Sequence, residues 1–172
     1  MKGVIFNIFS EFIEELKGME TWDELLQETG LDGVYTSAGN YPDTDLFTLV
    51  GKSCEMLDID LSQALKSFGK FAVGKFHSRY PQFFEGVDCK EFFHSIHGVI
   101  HQEVLKLYPG ALPPEVIVES TETGRFFLHY RSERNLPDLA EGLILGTLEH
   151  FQVQAELIRT DGEKETIFEL VT

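Results

Sequence analysis

The sequence predicts an α+β domain: a helical amino-terminal lobe and a long central helix packed on a small four-stranded antiparallel sheet. Three observations carry this. Apolar residues recur at three- and four-residue spacing from Val4 to about Tyr108. The period turns strand-like after Pro113-Pro114, and the last third holds two hairpin signals separated by one helical run.

Val4, Ile5, Ile8, Phe9, Phe12, Ile13 and Leu16 form one helical face, with Gly18 as its stop. Thr21-Trp22-Asp23-Glu24 reads as a capping box opening a short helix that ends near Gly30. After a loop with Gly33, Gly39 and Tyr41-Pro42, a third helical face runs through Leu46, Phe47, Val50, Cys54 and Leu57. Asp60 caps a fourth helix, carrying Leu61, Leu65, Phe68, Phe71, Ala72 and Phe76, which must end before Pro81. Asp88 with Glu91 is a second capping box, opening the long helix that Pro109-Gly110 stops. Its buried side is expected to hold Phe93, Ile96, Ile100, Val104 and Leu107. Glu115 to Ser120 and Arg125 to Ser132 are β-rich runs joined across Glu122-Thr123-Gly124. Pro137 starts a helix through Leu139, Leu143, Leu148 and Phe151, and Val153 to Arg159 with Thr166 to Val171 form a second hairpin around Asp161-Gly162.

At 172 residues, 42% hydrophobic and 12% aromatic, the chain suits one domain with a real core, and fifteen phenylalanines point to an aromatic interior or pocket. Its formal charge of −15 repels phosphate backbones and anionic lipid, which argues against nucleic acid and membrane surface as partners. Cys54 and Cys89 lack CxxC spacing, so neither a disulfide framework nor a cysteine zinc site is expected. Asn7, Glu11, Glu14 and Glu15 interrupt the amino-terminal apolar run too early for a signal peptide or membrane span, so a cytoplasmic location is expected.

His101 lies about 100° around the helical wheel from Ile100, at the margin of the apolar face. It has three readings: a hydrogen-bonded core histidine, an axial ligand to haem iron, or half of an i, i+4 zinc pair with His97, near Glu103, in a zinc-dependent enzyme. No HExxH pattern supports the last. In a strand, Tyr130, Ser132 and Arg134 would point the same way and form a polar row. The row reads either as a solvent face, leaving the chain a haem-free interaction module, or as a clamp for a carboxylate-bearing ligand.

At this point the chain resembles the haem-nitric oxide/oxygen binding (H-NOX) family, stand-alone bacterial type, which includes the haem domain of soluble guanylate cyclase. The family's Tyr-x-Ser-x-Arg signature stands as Tyr130-Arg131-Ser132-Glu133-Arg134, and its histidine segment is similar to Val99 through Gly110. The opening Met1 to Asn7, the Pro113-Pro114 pair and Glu141 to Gly146 are also similar, so the resemblance spans essentially the whole chain.

The resemblance implies one sensor domain over 1–172, with a helical lobe about 1–60, a haem-binding core about 61–172, and b-type haem (iron protoporphyrin IX) between the lobes. It implies His101 as the iron ligand, Tyr130, Ser132 and Arg134 on the propionates, Pro114 pressing on the porphyrin, and Ile5, Phe9, Leu139 and Leu143 lining the pocket. Oxygen-binding relatives carry a tyrosine at the position of Leu139. Leucine cannot donate a hydrogen bond, so a non-enzymatic sensor that binds NO, and CO, and excludes O2 is expected. NO would weaken or break the iron–histidine bond and shift the amino-terminal lobe, signalling to a separate histidine kinase or cyclic-di-GMP enzyme. Some bacterial relatives hold a cysteine-rich zinc site near the carboxyl terminus. This chain has no cysteine after Cys89, so no structural zinc is expected.

Overall fold

The computed structural model describes residues 1–121 and 125–171. The expected turn Glu122-Thr123-Gly124 lies outside the described residues. The helices are α1 (Gly3–Lys17), α2 (Met19–Thr29), α3 (Asp43–Leu57), α4 (Leu61–Arg79), α5 (Cys89–Ser95), α6 (His101–Leu107) and α7 (Pro137–His150). Strands β1 (Glu115–Ser120), β2 (Phe126–Arg131), β3 (Glu156–Asp161) and β4 (Thr166–Val171) form one antiparallel sheet in the order β1-β2-β4-β3. No described helix is long and apolar enough to cross a membrane.

Local chemistry explains most boundaries. Asp60 caps α4 by accepting from the Gln63 amide, and α4 ends at Arg79, ahead of Pro81. The Asp88/Glu91 capping box forms in both directions. The one expected at Thr21–Glu24 does not. Gly18, at φ 93°, turns the chain so tightly that α2 starts at Met19, and the Thr21 hydroxyl donates to the Lys17 carbonyl instead.

The long central helix is also interrupted. Ile96–Ile100 forms a π-helical turn between α5 and α6. Such a turn inserts one residue into the α register, about 100° of rotation. Leu107 is 56% exposed, yet it borders the same cavity as Phe93, Ile96, Ile100 and Val104, the side expected for all five.

Two apolar cores result. The first joins α1, α2, α3 and the first turns of α4, with Phe6, Phe9, Phe12, Trp22 and Phe68 at its centre. The second joins the inner face of the sheet to α5 and α7 through Phe84, Phe92, Phe93, Phe126, Leu128 and Phe168. The extensive α4–α7 contact links them. It is close because glycine leaves room: a Cβ on Gly142 would lie 2.2 Å from the Lys66 carbonyl oxygen, and one on Gly69 2.6 Å from that of Leu139. Arg159 of β3 reaches Asp138 at 2.6 Å and Glu141 at 3.0 Å, pinning the sheet to α7.

Candidate functional site

Between the two cores lies a cavity of about 360 Å³. It falls in the size range of small-molecule and cofactor sites. Its wall is mostly aliphatic and aromatic, and His101, Pro114, Tyr130, Ser132, Arg134, Ile5, Leu139 and Leu143 all border it. Phe9, the other expected lining residue, does not. It is buried in the amino-terminal core, its ring 5.2 Å from that of Phe68 and 6.2 Å from that of Phe12. Position on α1 decides this: Ile5 and Phe9 are one turn apart, and only Ile5 is high enough on the helix to reach the wall.

His101 opens α6 directly after the π turn, and its Nδ1 is buried with no hydrogen-bond partner. Burial, with a smaller contribution from His97, pulls its pKa down to about 4, against an opposing backbone contact with Pro114. The imidazole is therefore neutral near pH 7, the form that can ligate a metal. His97 itself is exposed. Among the described residues no three His, Cys, Asp or Glu side chains converge as a metal set, so the zinc pair of His97 and His101 gains no third ligand.

The His101 shift has a consequence for cofactor-free protein. Its folded pKa lies below the ordinary value, so the unfolded chain binds more protons between about pH 4 and 6.5. Stability is then full above pH 6.5 and falls with pH toward 4, by on the order of 3 kcal/mol from this group. Urea denaturation at pH 7.5 and pH 4.5 checks this: a His101→Leu variant is expected to lose less stability on acidification than the parent, and equal losses contradict it.

The polar row differs from the strand expected for it. β2 ends at Arg131, and only Tyr130 lies on it, facing inward with Phe126 and Leu128 in clean alternation. Ser132 and Arg134 belong to a turn in which the Ser132 hydroxyl accepts from the Arg134 amide at 3.2 Å, and Asn135 takes φ 47°. The Tyr130 hydroxyl accepts from the Leu136 amide at 3.3 Å. All three still meet the same cavity.

Sequence reasoning missed what holds this turn. Arg134 donates through Nε to Asp43 at 2.7 Å and through Nη1 to the Leu112 carbonyl at 2.6 Å. Asp43 also accepts from the Met1 amine at 2.5 Å. Although burial pushes the Asp43 carboxyl up, the amine and Arg134 hold it below its usual range. No local signal marks a pairing between residues 91 positions apart. Further wall residues were missed. Lys2 is buried, and the Tyr80 and Tyr108 hydroxyls bond to each other, joining the end of α4 to the end of α6. Burial and that bond push the Tyr80 pKa up to about 12.

Fold and site together define a class: an α+β domain that encloses a histidine with a buried, unbonded Nδ1 in an apolar cavity whose wall also carries cationic and hydroxyl groups. The chain belongs to the Haem-NO-binding family, whose model matches residues 2–158. It is similar to the H-NOX protein of S. oneidensis in the Fe(II)NO ligation state, at 30% identity and a TM-score of 0.92, with 99% of this chain and 98% of that one covered. It is likewise similar to the unliganded Fe(II) H-NOX protein of K. algicida, at 30% identity and a TM-score of 0.87, with 99% and 96% covered. A mutant H-NOX of T. tengcongensis, at 21% identity, shares the fold with a TM-score of 0.87 over 99% of this chain and 95% of that one. The fold is that of the H-NOX haem-binding gas sensors, which are sensor rather than catalytic domains.

The residues present fit a haem. A buried imidazole nitrogen without a protein partner, apolar walls for a flat ring, and cationic side chains at the rim are what an iron porphyrin with acidic substituents requires.

Proposed function

We propose that this chain is a non-enzymatic, cytoplasmic NO sensor holding one b-type haem, with His101 as the iron ligand. The observation that carries the reading is the buried, unpartnered His101 Nδ1 on the wall of an apolar cavity. When bound, the haem supplies a ferrous centre able to take diatomic ligands. The rest is the work of this chain's residues. Burial keeps His101 neutral; Pro114 would abut the ring and Tyr130, Ser132 and Arg134 would take the propionates, all four bordering the cavity. Ile5, Leu139 and Leu143 keep the wall apolar and dry.

Exclusion of O2 turns on hydrogen-bond donors. On the part of the wall supplied by α7, the hydroxyl is that of Thr147, and it donates to the Leu143 carbonyl of its own helix at 2.8 Å. Leu139 offers none. NO and CO need no such donor, whereas O2 does. Ferrous spectra under argon, air, CO and NO test the proposal: NO and CO are expected to shift the haem band, and an oxygenated spectrum that persists in air overturns it. Leu139→Tyr, which places a hydroxyl at this position, is expected to create O2 affinity in the same air spectrum, by roughly tenfold or more for one added hydrogen bond. An air spectrum unchanged from the parent contradicts that.

Residues 1–172 are taken as a single sensor domain, with a helical lobe of about 1–60 and a haem-binding core of about 61–172. Its output is read as passing to a separate signalling protein, a histidine kinase or a cyclic-di-GMP enzyme, with NO favouring one conformation over another. One contact supports this reading. Lys2 donates to the Pro109 carbonyl just past α6, so a shift of the helix that begins at His101 is carried to the base of α1.

A further inference from the structure

We infer that Lys2 is a carboxylate-binding residue of the cavity, a cationic contact for the cofactor additional to Tyr130, Ser132 and Arg134. The inference rests on the haem reading above and deepens it. Lys2 is only 7% exposed, and Nζ donates to two carbonyl oxygens, Ala38 at 3.1 Å and Pro109 at 2.7 Å. Carbonyls satisfy hydrogen bonds without neutralising charge. Among the described residues Lys2 forms no ion pair, and an ammonium has three donors, one more than these carbonyls use.

The cavity wall sharpens the imbalance. The chain carries 29 Asp and Glu residues, yet among the described residues none of them borders the cavity, while Lys2 and Arg134 both do. The acid closest to this balance, Asp43, is already shared between Arg134 and the Met1 amine. A buried cation without a counter-charge is strongly unfavourable, so a chain this acidic that keeps one on a cavity wall is built around an anion supplied from outside. Haem brings two carboxylates. Arg134 spends Nε and Nη1 on the protein itself, which leaves Lys2 as the cation whose charge no described protein group offsets.

The test titrates full-length apoprotein, parent and Lys2→Gln, with haem and with haem dimethyl ester, whose carboxylates are blocked. Glutamine keeps N–H donors for the two carbonyls and drops the charge. Lys2→Gln is expected to bind haem roughly ten- to a hundredfold more weakly than the parent, the range of one charge-assisted bond. Both proteins are expected to bind the ester alike, apo Lys2→Gln is expected to melt no lower than the apo parent, and Lys2→Arg is expected to retain haem affinity. Equal haem affinity in parent and Lys2→Gln overturns the inference. So does equal loss of haem and ester together with a lower apo melting temperature, which marks a purely structural lysine. A parent that takes up neither porphyrin overturns the haem reading itself, and the inference with it.

Discussion

Replacing His101 with glycine is expected to yield a folded protein that purifies without the haem band of the parent, and added imidazole is expected to restore it. The side chain supplies the one ligand-capable nitrogen that the fold, among its described residues, leaves buried and unpartnered. Partners that merely orient a metal ligand are worth roughly 10–100-fold in affinity, so loss of the ligand itself should exceed that. Near pH 7 the imidazole is neutral, so its removal relieves no buried charge, and glycine in α6 is expected to cost the apoprotein about 1 kcal/mol. Absorbance of purified parent and variant, with and without imidazole, gives the answer. Equal haem content in both would remove His101 from the role proposed for it.

The second large effect is purely a matter of packing. Gly142→Ala is expected to destabilise the protein by about 3 kcal/mol or more, beyond the ordinary cost of one added methyl group in a filled core. The new Cβ would meet Lys66 backbone, its carbonyl oxygen at 2.2 Å and its carbonyl carbon at 2.8 Å, and backbone cannot swing aside as a side chain does. Gly74→Ala, also in a helix but with nothing within 4 Å of its Cβ, is the control. It is expected to be neutral or to stabilise by up to about 1 kcal/mol, since alanine is the better helix former. Denaturation midpoints of the two variants should move in opposite directions or differ sharply, and a Gly142→Ala midpoint matching the parent would refute the packing account.

Much of this was legible in the sequence because the signals are local. Helical periodicity, the Asp60 and Asp88 caps, Pro81 and the change of period at Pro113-Pro114 each act within a few residues, and the helices and strands obey them. His101 was legible because it stands at the margin of an apolar helical face and Tyr130 because it opens a row of polar residues, and both border the cavity. What escaped was non-local or a matter of register. The π turn at Ile96–Ile100 has no sequence signal of its own, because the apolar residues before and after it still border one cavity. The tie of Arg134 to Asp43 and of Lys2 to Pro109 joins distant segments. The turn at Ser132 and Arg134 breaks an alternation that only Tyr130 of the three obeys, and Phe9 shares a face with Ile5 but lies one turn further along α1, inside the amino-terminal core.

The glycine contact between α4 and α7 also sets what this molecule can do mechanically. Two helices whose backbones touch cannot slide past each other without breaking contact, so the walls they give the cavity, Val73 and Phe76 from one and Leu139 and Leu143 from the other, behave as a single stiff plate. Other parts of the cavity wall come from segments outside this contact: the π turn with α6, and α1 with the loop that Lys2 holds. In the sensor proposed above, the plate would be the reference against which these two segments are displaced.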